Sequence, residues 1–411
     1  MSLSGVADAP ERLPRRMLAL APQPFFTPRG TPFSVYYRSL VTAELGFEVD
    51  LLTYGQGEDV DLPGVNIIRG PALEFLGKVR TGPSALKLVH DLFMFVRYLI
   101  LMIRHRYPVV HAHEEAVFFA AITKPLFGFK LVYDMHSSLP EQLENFGYSK
   151  SRLLKRVFEF LERRSLVAAD AIITICPALQ DQVRNLAPWA MDKHELIENS
   201  IFEDVRFVTS ALRAPETEPR ESLPDARALA KGARAVVYAG TLEPYQGIDL
   251  LIAGVALLAA RRDDFRLIIA GGSEPQVEHY KRLASDAGVA EVVTFLGQLR
   301  PLAARHLAET ADIILSPRSS GTNTPLKTYE QLACGVPLVA TEIYSHTQVL
   351  DETMAVLVPP SAQGLADGIE RLLAEDGLGA RLVARAQQHY AAHYARPAYT
   401  AKLTRLLERV H

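Results

Sequence analysis

Residues 316–341, SPRSSGTNTPLKTYEQLACGVPLVAT, gather side chains and backbone groups suited to anions and hydroxyls. The run reads as a strand, a loop of small residues, a helix and a glycine stop. Gly321, Thr322, Asn323 and Thr324 supply a turn and an N-cap. Pro325 fits the first helical position, followed by Leu326, and Gly335 ends the helix. Such a helix aims its free N–H groups and positive dipole end at whatever lies in front of it, an arrangement suited to a diphosphate. Lys327 and Glu330, three residues apart, share a face. A carboxylate can accept two O–H donors of a vicinal diol at once, and an ammonium suits phosphate.

A second group of residues is histidine-centred. VYDMHSSLPE, residues 132–141, places His136 just beyond an apolar strand, where it emerges at the carboxyl edge. An imidazole there can hydrogen-bond a hydroxyl or a departing oxygen. VVHAHE, residues 109–114, carries His111 and His113 on one face of a strand. In FTPRGTPFS, residues 26–34, Gly30 permits close backbone approach to a phosphate or acceptor, with Arg29 beside it.

These motifs need strand ends to carry them, and the chain supplies two series. Apolar runs at 17–21, 48–53, 109–112, 130–134 and 171–175 alternate with helical stretches at 34–45, 85–104, 116–126, 151–167 and 178–186. After a polar passage at 202–232, in which no strand pattern survives, the rhythm restarts. Strands are expected at 235–239, 266–270, 292–295, 312–316, 337–340 and 355–358, and helices at 248–260, 275–287, 301–309, 325–333 and 363–373. Such alternation signals parallel α/β sheets. The expected fold is therefore two doubly wound Rossmann-like domains facing a cleft, residues 1–203 and 204–389. A terminal helix is expected at 390–411. Sheets of this kind bind ligands at the carboxyl ends of their strands.

Composition narrows the class. The chain is 48% apolar and 22% charged with a net charge of −3, which argues against a nucleic-acid partner. Cys176 and Cys334, both read as buried, form no disulfide framework or metal-binding spacing and point to a reducing compartment, the cytoplasm. Residues 11–16 are charged and the apolar run after them is too short for a signal peptide. An apolar run opened by Leu92, closed by Ile103 and interrupted by Arg97 is too short to cross a bilayer, which needs about 20 residues. It reads as a helix packed on a sheet, with peripheral docking on the inner membrane face or on a partner as the sharper alternative.

The segment ending Glu330-Gln-Leu-Ala-Cys-Gly resembles the donor-binding signature of glycosyltransferase family 4, which has the GT-B fold. The resemblance implies a retaining transfer from a nucleotide-diphosphate sugar to a glycan, lipid-linked or small-molecule acceptor, as in bacterial polysaccharide biosynthesis, with Glu330 on the ribose and His136 beside the reacting sugar. It continues through the 109–114 strand, LIENS at 196–200, and VVYAGTLEPYQGIDLLIAG at 236–254, which contributes Gly240 and Gly247 to the donor side. Three positions depart from it. Thr322 stands where many members have a sugar-binding glutamate, and Thr241 and Gln246 stand where they have the arginine and lysine that grip the diphosphate. Lys327 is the first substitute cation, with Arg318, Arg300 and Arg29 behind it.

No Asp-x-Asp motif sits at a strand end, so neither a metal nor another cofactor is expected. The same architecture also serves nucleotide-sugar epimerases or hydrolases. A catalytically silent subunit binding a sugar or a partner is the reading from another class.

Overall fold

In the computed structural model the described residues are 15–27, 30–72, 77, 85–138, 152–199, 202, 206–207 and 223–410. Arg29 lies outside them. Seven strands build the first sheet: β1 Arg15–Ala21, β2 Phe47–Thr53, β4 Val65–Arg69, β5 Val109–His113, β6 Lys130–Met135, β7 Ala171–Thr174 and β8 His194–Leu196. All pairings are parallel, in the order β4-β2-β1-β5-β6-β7-β8. The second sheet holds β10 Arg234–Ala239, β11 Phe265–Ala270, β12 Val293–Gly297, β13 Ile313–Ser316, β14 Leu338–Thr341 and β15 Val356–Val358, in the order β12-β11-β10-β13-β14-β15. Each sheet is doubly wound, with the order in which strands are added reversing between β1 and β5 and between β10 and β13. Those reversals open crevices at the carboxyl ends of the strands.

The central strands form because their residues are apolar on both faces, as strands buried between two helix layers require. In the first sheet the alternation divides two cores. Val110, Ala112, Leu131 and Tyr133 face the helices Ala85–His105, Ala116–Phe127, Arg152–Ala168 and Pro177–Leu186. Met17, Ala19, Val109 and Val132 face the helix Gly30–Glu44 and the last helix, Arg396–Glu408.

The polar passage between the sheets is less featureless than its composition implies. β3 Val60–Asp61 pairs antiparallel with β9 Arg206–Phe207, and a short helix, Ala226–Leu229, is capped by Asp225. Two residues of strand are too short to leave a pattern in sequence.

The chain end returns to the first domain. Tyr399, Leu403, Leu406 and Leu407 are buried against Val35, Tyr36 and Val41. Charged pairs border this seam: Lys402–Glu198 at 2.5 Å, Arg405–Glu195 at 2.6 Å and Arg396–Glu44 at 2.6 Å. The Arg405 and Arg396 pairs are partly exposed and worth little individually, and the more buried Lys402–Glu198 pair must offset its own desolvation, so apolar burial holds the helix. Leu403→Ala should cost about 2–5 kcal/mol. Hydrogen exchange should report that loss at amides of β1 and β2; a loss confined to the second sheet would contradict this packing.

Candidate active site

At the second domain's switch point two loops press together. Gly247 has φ +70°, and a Cβ there would stand 2.1 Å from the Pro317 carbonyl oxygen. Ser319 N donates to the Tyr245 carbonyl at 2.9 Å, locking the loop after β10 to the loop after β13. The helix Leu326–Ala333 starts directly behind them. Its N-cap is Pro325, with extended φ/ψ and no side-chain cap bond, so Pro325 lies one place earlier than the sequence reading put it and Thr324 does not cap. A proline nitrogen has no hydrogen to satisfy, and Thr328 N donates to the Pro325 carbonyl at 2.9 Å, which leaves the N–H groups of Leu326 and Lys327 as the first turn's donors for a ligand.

Two cations occupy this edge. Lys327 Nζ lies 4.4 Å from the centre of the Tyr238 ring and 3.4 Å from Gln246 Oε1. Gly240 makes room for it, since a Cβ there would come within 3.3 Å of the ammonium and 2.9 Å of the Tyr238 hydroxyl. Arg318 folds over Tyr245, its guanidinium 5.1 Å from the ring centre, and donates to the Ser320 carbonyl at 2.6 Å and the Asn323 carbonyl at 3.4 Å. Gly321 lies beneath it with φ +127°, a conformation that L side chains rarely adopt, and a Cβ there would stand 2.2 Å from the guanidinium. Neither cation pairs with a carboxylate among the described residues. Burial first, and the nearby Arg318 second, bring Lys327 down to about 7. A desolvated ammonium without a counter-charge is a standing requirement for an anion.

Thr241 and Gln246 are bonded to each other, Nε2 to Oγ1 at 3.3 Å, and so line the same edge without charge. Glu330, three residues beyond Lys327, is partly exposed and faces Arg305 at 4.0 Å. Arg300 is exposed, at the N-cap of the helix Pro301–Glu309. Arg305, one turn on, is the residue that reaches Glu330, and the sequence reading missed it. Thr322 is exposed, with its carbonyl taking a bond from Gln348 Nε2. Asn323 crosses the cleft: its Nδ2 donates to the His136 carbonyl at 3.5 Å, and its Oδ1 lies 3.7 Å from Cys176 Sγ. Gln348 crosses as well, accepting from Ala178 N at 2.7 Å.

The opposite wall is built on β5 and β6. Register places His113 beside Asp134, and the period of two puts His111, His113, Asp134 and His136 on one face. All four are buried. His113 Nδ1 and His136 Nε2 share a proton at 2.9 Å, and His111 Nε2 donates to Asp134 at 3.1 Å. The charge is balanced from 96 residues away: Arg38, on the helix Gly30–Glu44, donates Nε to Asp134 at 2.8 Å and Nη2 to the Ile197 carbonyl at 3.3 Å. The guanidinium also stacks 5.3 Å from the Tyr399 ring of the returning helix. Burial alone would raise Asp134, but Arg38 and the histidines hold it well below the usual carboxylate range. Burial drives His136 down to about 4 and His113 well below its usual value, so both are neutral near pH 7.

His111, His113 and Asp134 place possible ligand atoms within 4.8 Å of one another, a metal-like cluster. The Arg38 guanidinium already supplies positive charge to that carboxylate, so the set fits an internally balanced network. Gly30, in contrast, opens its helix in the exposed layer, and a Cβ there would touch nothing within 4 Å. No protein atom therefore demands glycine there, and its face is open to a ligand. Cys334, read as buried, is half-buried.

Acid should test this wall. His136, His194 and His346 are each held near 4 by burial, and His113 is low for the same reason. Between their unfolded value near 6.5 and 4, the unfolded chain binds protons that the folded one does not. Each histidine should therefore contribute fully above pH 6.5 and lose about 1.4 kcal/mol for each pH unit below it, opposed in part by Asp91 and Glu114, whose carboxyls burial raises to about 7. Urea titrations at pH 7, 6 and 5 measure this; equal stability at all three would contradict neutral burial.

Comparison with known proteins agrees with the geometry. Residues 36–200 match the model of the glycosyl transferase 4-like domain, and residues 219–389 match that of glycosyl transferases group 1. A D-inositol 3-phosphate glycosyltransferase of Corynebacterium aurimucosum is 26% identical over 371 residues, 84% of either chain. A phosphatidyl-myo-inositol mannosyltransferase of Mycolicibacterium smegmatis is 30% identical over 181 residues, 43% of this chain and 45% of that one. Among solved structures, sucrose-phosphate synthase of Thermosynechococcus elongatus superposes with a TM-score of 0.71 at 20% identity, covering 96% of this chain and 98% of the other. Anabaena HepE, solved in complex with UDP-glucose, gives 0.67 at 16% identity over 96% and 99%. Two family models matched in order along one chain, on two facing doubly wound domains, make this protein a glycosyltransferase of family 4 with the GT-B fold.

Proposed function

We propose that the protein transfers a sugar from a nucleotide-diphosphate donor to a hydroxyl of a glycan, lipid-linked or small-molecule acceptor, with retention of anomeric configuration and without a metal. The observation that carries this reading is the cation pair, Lys327 and Arg318, which has no carboxylate partner among the described residues and stands at the start of the helix Leu326–Ala333. In it the diphosphate lies against these two cations and the helix N–H groups, which offset its charge as it departs. Thr241 and Gln246 add neutral hydrogen bonds. Glu330 accepts the ribose hydroxyls. The threonines and Asn323 of the 322–324 loop approach the donor sugar.

His136 faces the sugar from the opposite wall. As a neutral imidazole it can hydrogen-bond a sugar hydroxyl without bringing a second positive charge to the anomeric carbon. Retention follows from front-face substitution. The bond from the anomeric carbon to the diphosphate oxygen breaks, the acceptor oxygen bonds on the same face, and its proton passes to the leaving phosphate. The chain's work is then positioning and charge compensation.

Two measurements test the donor half. Thermal shifts with uridine, guanosine and adenosine diphosphates should select one base, and Glu330→Ala should weaken that nucleotide about tenfold or more. Because an anion raises the value of a nearby ammonium, binding at pH 8 should draw in nearly one proton at Lys327, which is mostly neutral there before binding. Titration calorimetry in two buffers of different ionisation enthalpy counts it. Lys327→Met should abolish the uptake, and uptake of no proton by the parent protein would contradict the assignment. Turnover should persist in chelator; its loss would overturn metal independence.

A further inference from the structure

The helices on the outer face of the first sheet leave apolar surface uncovered. Of the sixteen large apolar side chains exposed among the described residues, eleven stand on three neighbouring helices, Ala85–His105, Ala116–Phe127 and Arg152–Ala168. Isolated exposed leucines are ordinary, but a concentration on adjoining elements is not. On the first helix Leu88, Leu92 and Val96 follow at i, i+4 and i+8, and Ile103 continues the stripe. The opposite stripe, Met94, Tyr98 and Leu101, is what packs on the sheet. Leu92 is 61% exposed and Ile103 68%. On the second helix Ile122 and Leu126 are 75% and 77% exposed, and on the third Phe160 is 62%.

These helices are held together. Phe95 and Phe119 join the first two, ring centres 5.5 Å apart, and Lys124 donates to the Ala168 carbonyl at 2.6 Å to join the last two. The stripes therefore form one surface.

Its fully exposed charges have one sign among the described residues. Arg97 and Arg104 flank the first stripe, and on the third helix Arg156, Phe160, Arg163 and Val167 follow one another at i, i+4, i+7 and i+11. Arg97, Arg104, Arg156, Arg163 and Arg164 are exposed, and none forms an ion pair with an acid among the described residues. No acidic residue of the three helices is fully exposed among them. In a chain of net charge −3 this local excess is a feature of the surface.

We propose that this three-helix surface docks on an anionic lipid bilayer, with the leucine, isoleucine and phenylalanine side chains in the headgroup boundary and the arginines on lipid phosphates. Helices with one apolar face and a cationic border lie in the plane of such an interface. No helix among the described residues is long and apolar enough to cross a membrane, so the contact is peripheral. A second copy of the chain is a poorer occupant, because a two-fold contact would set arginines against arginines. The surface also reaches the cleft. The helix Ala116–Phe127 begins three residues after His113, and Lys87 near the start of the first helix pairs with Glu115 at 2.5 Å. Docking would hold the acceptor side of the cleft at the bilayer, a consequence that rests on the transferase reading above, whereas the docking itself does not.

Co-sedimentation of the purified protein with vesicles tests it, with no donor or acceptor present. The protein should pellet with vesicles of phosphatidylcholine mixed with phosphatidylglycerol, remain in solution with phosphatidylcholine alone, and be released by salt. The triple variant Leu92→Gln, Ile122→Gln, Leu126→Gln and the double variant Arg156→Glu, Arg163→Glu should each lose at least tenfold in binding, with melting temperatures close to the parent's because every changed side chain is exposed. A parent that stays in solution with the anionic vesicles overturns the proposal, as do variants that bind as well as the parent. So does a concentration-dependent dimer that the triple variant abolishes. Retained nucleotide binding alongside lost vesicle binding would leave the donor assignment standing, so the two readings fail separately.

Discussion

The Arg38–Asp134 pair is the constraint around which the first domain is organised. Asp134 sits in an otherwise apolar strand with no exposure, and Arg38 reaches it from the helix Gly30–Glu44 almost as deeply buried. Breaking such a pair strands a charge, at a cost of about 3–5 kcal/mol. Its satisfaction therefore fixes several elements at once. Arg38 holds the Ile197 carbonyl near the exit from the domain, stacks on Tyr399 of the returning helix and neutralises the carboxylate that orients three histidines. The chain end, the domain exit and the cleft wall meet in one network.

The second domain solves the opposite problem. There the cations have no carboxylate partner among the described residues, and glycines at 240, 247 and 321 open the room that Lys327, the Pro317 carbonyl and Arg318 need. One wall of the cleft is internally neutral, and the other is short of negative charge. That asymmetry suits a reaction in which a dianionic leaving group departs from one side while an uncharged sugar centre is handled from the other. Asn323 and Gln348 already bridge the two walls through side-chain bonds that a ligand could exchange.

Much of this was legible in sequence, for physical reasons. Central parallel strands are apolar on both faces, so β1, β5, β6, β10 and β13 declared themselves, and with them the ends that carry His113, His136 and the 317–325 loop. What escaped was short, peripheral or long-range. β4 is a half-exposed edge strand, β8 has three residues, and β3 and β9 have two each. The partner of Asp134 could not be read at all, because a buried aspartate demands a cation without saying which one, and Arg38 lies 96 residues away. Pro325 fits the N-cap and the first helical turn equally by type, and only the observed dihedrals separate the two.

The central claim is that Lys327 and Arg318 replace the missing basic pair as the seat of the diphosphate. A crystal structure of the protein with its preferred nucleoside diphosphate tests that most directly. The account predicts phosphate oxygens within hydrogen-bond distance of Lys327 Nζ and the Arg318 guanidinium, the ribose on Glu330, and the terminal phosphate turned toward His136. A diphosphate held at Thr241 and Gln246 with neither cation in contact would contradict it.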